Sequence, residues 1–415
     1  MAFNPFEQKK VNIEKTFEPW SKIFAKPYDK ESVDPFTKLR IILMNGTEFE
    51  SVWFSHNFHR HCENNDIRRE LALVRKIEQD QQKKISGLKP INESVLENTI
   101  GYEQLAVELT ANLARREKDK YVKKALDFAL LEDFDHLYRF SNLLKMEHGI
   151  LAENLIGRRT EITPGRPTIS EHRHPYDNIK KWGNNKKADP ITRLNTQIIT
   201  AAEQQTMNWY MNVATTYTSD IGRKLFSEIA LIEEEHVSQY VSLMDASCTW
   251  LAGYLEHEYC ECYLYYSCIN DETDEKIKKI WEVCFEQELA HLQIANELLM
   301  KYEDRDYTSI LGDGAFPELL TFGQDNIEYV RNVLRKTVTL TGDLEDYSDV
   351  KNMEKDCRFC SIQNKINKDV KTVPSHKIID MYLDCNETDY RYEVKPSEIK
   401  ELRDRKCDNV SVGRC

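Results

Sequence analysis

Three pairs of an acid and a histidine have the residue types and the spacing that best suit metal binding in this chain. In each pair the histidine follows three residues after the acid: Asp133 and His136, Glu233 and His236, Glu288 and His291. Residues three apart lie on one face of an α-helix, so a carboxylate and an imidazole can reach the same point. Such mixed ligands suit iron or manganese, and a site without thiolates is a poor choice for structural zinc. The pairs therefore predict metal ligands on helices.

Each pair belongs to a longer repeat, which we call the 30-residue frame. A glutamate lies 30 residues before the second acid in every copy: Glu103, Glu203 and Glu258. A good N-cap residue lies 14 residues before that acid: Asp119, Ser219 and Asp274. A leucine follows each histidine by seven residues: Leu143, Leu243 and Leu298. The frame predicts three copies of one helical hairpin.

The polar turn of each hairpin lies midway between its two acids. Residues equidistant from the turn meet at one level, and fourteen residues at about 1.5 Å each place both acids about 21 Å from it. Their neighbours are apolar, as Ile229 and Val237 are around Glu233. Because buried unpaired carboxylates are costly, metal ligation is the expected remedy. The alternative is an all-α scaffold whose acids and histidines are solvated and bind no metal.

The chain as a whole is expected to be all-α and to consist of three parts. These are an N-terminal segment, a helical domain and a partly loosely ordered C-terminal appendage, at residues 1–91, 92–302 and 303–415. The three hairpins of the domain span residues 92–155, 191–246 and 248–302. In the first part, Asn45-Gly46 favours a β-hairpin of two short strands at 38–54, although a helix fits its second half nearly as well. A helix is expected at 66–86.

Residues 157–192 connect the first and second hairpins and are interrupted repeatedly by proline and glycine. A connection of this length is unusual in a compact domain unless it is functional. Glu171 and His174 repeat the acid–histidine spacing here, but Ser141 occupies the position 30 residues before Glu171. This pair therefore falls outside the frame, either at a substrate entrance or in plain loop.

Charge and apolar patterning exclude several classes of protein. The 70 acidic and 57 basic residues give a net charge of −13, which argues against a general nucleic-acid binder. No apolar run approaches the length of a membrane span, and the first ten residues lack the apolar core of a secretory signal. The eleven cysteines have no regular spacing, so we expect mostly reduced thiols in a cytoplasmic protein.

The order of the candidate ligands over residues 92–246 carries a family resemblance. It reads Glu103, Asp133-x-x-His136, the 157–192 connection, Glu203, Glu233-x-x-His236. This order resembles the ferritin-like di-iron carboxylate superfamily, which includes rubrerythrins, bacterioferritins, the ribonucleotide reductase small subunit, acyl desaturases and bacterial multicomponent monooxygenases. The chain is similar to a bacterial branch of the superfamily rather than to one of these enzymes. The resemblance implies a ferritin-like four-helix bundle with a long crossover, here with an additional helical hairpin.

The resemblance also implies two bound iron ions, or a manganese–iron pair, and a role for each ligand. The terminal or bridging carboxylates would be Glu103 and Glu203, the bridging ones Asp133 and Glu233, and the histidine ligands His136 and His236. The second N–H of each histidine would go to an outer acid such as Glu132, Asp135 or Glu235. Asp133 departs from the family, which usually has glutamate there, so either its shorter side chain changes the bridging or Glu132 contributes instead.

Symmetry favours one of the possible pairings of hairpins around a shared site. A carboxylate-bridged metal pair has a two-fold axis perpendicular to the helices, so the second hairpin must run opposite to the first, which requires a crossover. The 157–192 connection supplies it, so the first and second hairpins are the preferred pair, and the second and third are the alternative. The third hairpin then holds a second metal set, a degenerate copy or a polar network: Glu258, Glu288 and His291, with Glu261 competing with Glu258.

The function that the resemblance implies is a di-metal oxidoreductase that activates dioxygen or peroxide on a small substrate. One alternative is a rubrerythrin-like protein that handles peroxide or iron, and another is a metal-free helical scaffold that binds partners. An electron-donor protein and further copies in a homo-oligomer are expected partners. Neither nucleic acid nor a membrane is expected to bind.

Overall fold

The computed structural model describes residues 2–323, 325–391 and 396–415, and helices predominate in it. The α-helices are, in chain order, α1 (Trp20–Ile23), α2 (Pro35–Arg60), α3 (Asn65–Ser86), α4 (Val95–Arg116), α5 (Lys120–His148), α6 (Ala152–Leu155), α7 (Pro190–Thr216), α8 (Asp220–Leu243), α9 (Trp250–Asp271), α10 (Glu275–Glu303), α11 (Thr308–Leu311), α12 (Ile327–Thr337), α13 (Arg358–Ile366) and α14 (Pro374–Asn386). One antiparallel strand pair lies between α12 and α13, β1 (Leu340–Asp343) and β2 (Asp346–Asp349). The all-α prediction agrees with this composition.

The chain divides into two compact units, each made of discontinuous segments. Unit 1 comprises residues 1–93, 183–202 and 244–322, and unit 2 comprises 94–182, 203–243 and 323–415. The three predicted hairpins therefore do not form one domain over 92–302. The first hairpin lies in unit 2. The second does too, except for the part of α7 before Glu203, which belongs to unit 1. The third lies in unit 1 together with the N-terminal helices.

Unit 1 is built on a ring of four helices. Helix α2 packs against α3 and α9, and α10 packs against α3 and α9. Side-chain caps fix where all four helices begin: Asp34 for α2, Asn64 for α3, Thr249 for α9 and Asp274 for α10. Each cap oxygen accepts a backbone N–H that the first turn would otherwise leave unpaired.

The predicted β-hairpin at 38–54 is wrong, because α2 runs through it as one helix. Asp34 caps the helix by accepting the N–H of Phe36 at 2.8 Å, and Pro35 occupies its first turn. Leu39 and Leu43, spaced four residues apart, are buried at 0% and 1% exposure. Burial of this face overrides the turn preference of Asn45-Gly46, whose glycine is itself buried within the helix.

Unit 2 is built on α4, α5, α8 and the second part of α7. A capping box starts α4, where Ser94 and Glu97 each accept the other's backbone N–H. Gly149 ends α5 in the left-handed conformation, with φ at 69°. Aromatic packing joins the helices, for example Tyr102 stacked on Trp209.

The C-terminal part is not the loosely ordered appendage that the sequence predicts, so far as its described residues are concerned. Val338, Ile378, Leu402 and Val412 all belong to the apolar core of unit 2. Its helices are short, and helices of this length depend on packing for their stability. Cys360 and Cys415 form a disulfide, which departs at these two positions from the expectation of reduced thiols.

Candidate metal centre

Unit 2 brings the six predicted ligands together from four helices. Helix α4 contributes Glu103, α5 contributes Asp133 and His136, α7 contributes Glu203, and α8 contributes Glu233 and His236. The caps set the height of the two acid–histidine pairs. Asp119 accepts the N–H of Tyr121 at 2.7 Å and so starts α5, and the Ser219 hydroxyl accepts the N–H of Gly222 at 3.1 Å at the start of α8.

The six side chains form two ligand groups that share one residue. Asp133, Glu203, Glu233 and His236 make the first group, and Glu103, His136 and Glu233 make the second. Within each group the ligand atoms lie within 4.8 Å of one another, and every one of these side chains is at most 1% exposed. Glu233, through its two oxygens, is positioned to bridge two ions.

Each histidine turns one nitrogen to the carboxylates and the other to an outer acid. His136 Nδ1 lies 3.0 Å from Glu233 Oε1, and its Nε2 lies 3.0 Å from Glu171 Oε2. His236 Nδ1 lies 3.1 Å from Glu233 Oε2, and its Nε2 lies 2.6 Å from Glu132 Oε2. An outer carboxylate of this kind fixes the tautomer and orientation of a metal-binding imidazole.

Glu132, Asp135 and Glu235 are the acids expected to accept the outer N–H of His136 or His236. Only Glu132 contacts one of these two histidines, His236. Asp135 instead accepts from Arg139, and Glu235 pairs with Arg173. The partner of His136 is Glu171, which the sequence places outside the frame. Glu171 is 1% exposed, so it belongs to the interior of the site and not to plain loop.

Two buried arginines hold the outer acid Glu132. Arg166 Nη1 and Arg173 Nη1 lie 2.9 and 2.8 Å from Glu132 Oε1. Both arginines come from the 157–192 connection, whose proline and glycine residues give no periodic pattern by which to place them. The connection therefore supplies Glu171 and both arginines to the surroundings of the site.

The pKa values of several predicted ligands are raised, which favours their protonated forms. Burial raises the pKa of Glu103 and Asp133 well above their usual range, and it raises the pKa of Glu203 to about 7. Burial alone would lower the pKa of His136, but Glu171 and Glu233 outweigh it and hold that pKa well above its usual range. Burial would raise the pKa of Glu233, but hydrogen bonds with both histidines hold it low.

Several of these buried oxygens accept no hydrogen bond. They are Glu103 Oε2, Asp133 Oδ1 and both carboxylate oxygens of Glu203. The nearer Glu203 oxygen lies 3.7 Å from His236 Nδ1, beyond hydrogen-bond distance. Buried polar atoms are nearly always satisfied, so orphaned oxygens within these two ligand groups fit bound cations.

The second predicted set lies in unit 1 with an additional acid. Glu258, Glu288 and His291 group with Glu78 of α3, and all four are buried. Glu48 and Glu261 form a further group with the same Glu78. Glu258 and Glu261 thus both point into this cluster, so the two candidates do not exclude each other.

The N-terminal helices contain a fourth copy of the 30-residue frame that sequence reasoning missed. Glu48 precedes Glu78 by 30 residues, and Asn64, the cap of α3, precedes Glu78 by 14. Gln81 occupies the position of the histidine, and Leu88 follows it by seven residues. A search for the spacing of the acids, instead of the acid–histidine pair, finds this copy.

No protein-family model, no curated protein and no solved structure matches this chain. Among the described residues, no helix combines the length and the apolar character that crossing a membrane requires. The support for a function therefore comes from the arrangement of the side chains.

Proposed function

We propose that unit 2 binds two metal ions, iron or manganese with iron, and that the protein is a ferritin-like oxidoreductase that activates dioxygen or peroxide. The observation that carries this proposal is the sharing of Glu233 by two buried ligand groups. One ion would be held by Asp133, Glu203 and His236, and the other by Glu103 and His136. Redox-active metal ions of this kind supply electrons to dioxygen or peroxide.

The surrounding residues prepare the site for such chemistry. Tyr210 donates its hydroxyl hydrogen to Glu103 Oε1, which orients that carboxylate. Burial raises the pKa of Glu171 to about 7, so its carboxyl group, beside His136 Nε2, can hold or release a proton near neutral pH. The burial of all six ligands keeps bulk water away from a reactive centre.

Anaerobic loading with Fe(II), followed by oxygen, tests the proposal. The wild-type protein is expected to bind iron and to develop a near-ultraviolet oxo-bridged band, and the double variant His136→Ala, His236→Ala is expected to lose the band. Iron uptake into a mineral core that then releases its iron slowly would favour iron handling instead. If the wild-type protein binds neither iron nor manganese, and the double variant changes nothing, the metal-free scaffold is the better interpretation.

Metal affinity of unit 2 is expected to fall with decreasing pH, since a metal must displace protons from its ligands. A carboxyl group with a pKa of about 7, as in Glu203, is mostly ionised at pH 8 and mostly protonated at pH 6. That change alone weakens binding about tenfold. Titration calorimetry with Mn(II) in two buffers of different ionisation enthalpy measures both the affinity and the protons released. Equal affinity at the two pH values, with no proton release, would contradict this expectation.

A further inference from the structure

Unit 1 contains a second convergence of buried ligands, independent of the one in unit 2. Glu48 comes from α2, Glu78 from α3, Glu258 and Glu261 from α9, and Glu288 and His291 from α10. All six side chains are at most 1% exposed. We propose that unit 1 holds a second centre for two divalent cations, with Glu78 shared between them.

The charges of this cluster are not compensated by the groups that contact it. His291 Nδ1 lies 2.9 Å from Glu78 and 3.1 Å from Glu288, and His257 Nε2 lies 3.8 Å from Glu261. Further donors are neutral: Gln81 donates to Glu288 at 2.6 Å, Ser51 donates to Glu261 at 3.3 Å, and Tyr265 donates to Glu48. Five carboxylates would thus carry five negative charges beside two imidazoles, and the remaining donors around them are neutral. Two divalent cations would offset four of those five charges.

Atoms without a hydrogen-bond partner point to the same positions. Glu48 Oε2, Glu258 Oε2 and Glu261 Oε1 accept no hydrogen bond. Carboxylate oxygens left unpaired at 0–1% exposure would be costly without a cation.

The two positions of this centre differ in their donors. One position, made by Glu78, Glu258, Glu288 and His291, repeats the donors of the first group in unit 2. At the other, Gln81 stands where the frame has a histidine, and Glu261 completes a set of three carboxylates with Glu48 and Glu78. Oxygen-only sites favour hard cations such as Mn(II) and Mg(II) over softer metals. We therefore expect Mn(II) to occupy both positions.

A pocket in unit 1 offers an access route for such ions. It has a volume of about 390 Å³, and its lining includes Glu50, Glu256 and His257. His257 Nδ1 lies 3.3 Å from Glu50 Oε2, and its other nitrogen faces Glu261 on the inner side. Three acids of the lining, Glu50, Asp245 and Glu256, outnumber its one arginine, Arg193, so the lining favours cations. His257 lies between the pocket and the buried carboxylates.

The test counts Mn(II) after the centre of unit 2 has been disabled. Glu233→Ala removes the carboxylate shared in unit 2, and we expect this variant to retain two Mn(II) per chain by elemental analysis and electron paramagnetic resonance. Adding Glu78→Gln is expected to remove both, because Glu78 is shared by both positions. Glu286→Gln, an exposed neighbour on α10, serves as the matched control and should change nothing.

A second variant tests the proposal even if Glu78→Gln misfolds. Glu261→Gln keeps the size of the side chain and should remove only one Mn(II), with unchanged helicity and melting temperature. Unchanged Mn(II) content after both Glu78→Gln and Glu261→Gln would overturn the proposal. A Glu233→Ala variant that retains no Mn(II) would also overturn it. A failure of unit 2 to bind metal leaves both Mn(II) counts in unit 1 unaffected, so the two proposals fail separately.

Discussion

Glu233→Ala is expected to cost unit 2 both metal ions and to slow iron oxidation by more than about 100-fold. Removing even an outer partner of a metal ligand typically costs 10–100-fold in affinity or activity, and Glu233 reaches both ligand groups directly. Its two oxygens lie 3.0 and 3.1 Å from His136 and His236, so its loss also releases both imidazoles. No other ligand in unit 2 belongs to both groups.

The neighbouring Glu234→Ala is the matched control, because Glu234 lies on the same helix but is exposed to solvent. Stopped-flow absorbance after oxygen mixing gives the rate, and elemental analysis gives the iron content. Glu103→Gln should be milder, with loss of one ion, since Glu103 belongs to one group only. Equal iron content in Glu233→Ala and Glu234→Ala would refute the bridging role of Glu233.

Arg173→Met is expected to lower the free energy of unfolding by about 3–5 kcal/mol, the usual cost of breaking a buried ion pair by removing one partner. Arg173 is 2% exposed and lies 2.8 Å from Glu132 and 3.1 Å from Glu235. Its loss leaves Glu132 with one arginine and Glu235 without that ion pair. Urea titration measures the change. Arg335→Met is the control: Arg335 pairs with Glu398 at the surface, where a pair contributes at most about 1 kcal/mol.

The pH dependence of that loss identifies its cause. Burial would raise the pKa of Glu132, but Arg173, His236 and Arg166 outweigh it and lower the pKa to about 2. A carboxyl group whose pKa is lower when folded stabilises the protein above its unfolded pKa of about 4.3 and loses that effect as pH falls towards about 2. The difference between Arg173→Met and the wild type should therefore shrink below about pH 4. A constant difference down to pH 2 would mean that Arg173 acts by packing alone.

The hairpins could be predicted from the sequence because spacing and caps act locally. Two long helices lie in each predicted stretch, α4 packs against α5 and α9 against α10, and the six residues of the first two copies meet in unit 2. The 157–192 crossover also favours the pairing of these two hairpins, because it lets the second run opposite to the first. Local rules suffice here because an acid 14 residues after its cap has nearly the same height in every copy.

The remainder depends on contacts between distant segments. Glu48 is not recognisable from the sequence as a ligand on a helix, because Asn45-Gly46 favours a turn there. Glu78 is not recognisable because Gln81 occupies the position of the histidine. Glu171 lies in a connection without periodicity, so only the packing of that connection against α5 brings it to His136. The same holds for the C-terminal segments, whose order comes from the core of unit 2.

The discontinuity of unit 1 has a consequence for synthesis of the chain. Helices α2 and α3 are complete at Ser86, but their partners α9 and α10 end at Glu303, more than 200 residues later. At roughly 5–20 residues per second, the nascent N-terminal hairpin waits about ten to forty seconds on the ribosome for its partner. During that time its apolar face and its two acids, Glu48 and Glu78, remain without α9 and α10. Closing so long a loop also gives unit 1 a high contact order, which favours slow refolding and dependence on chaperones.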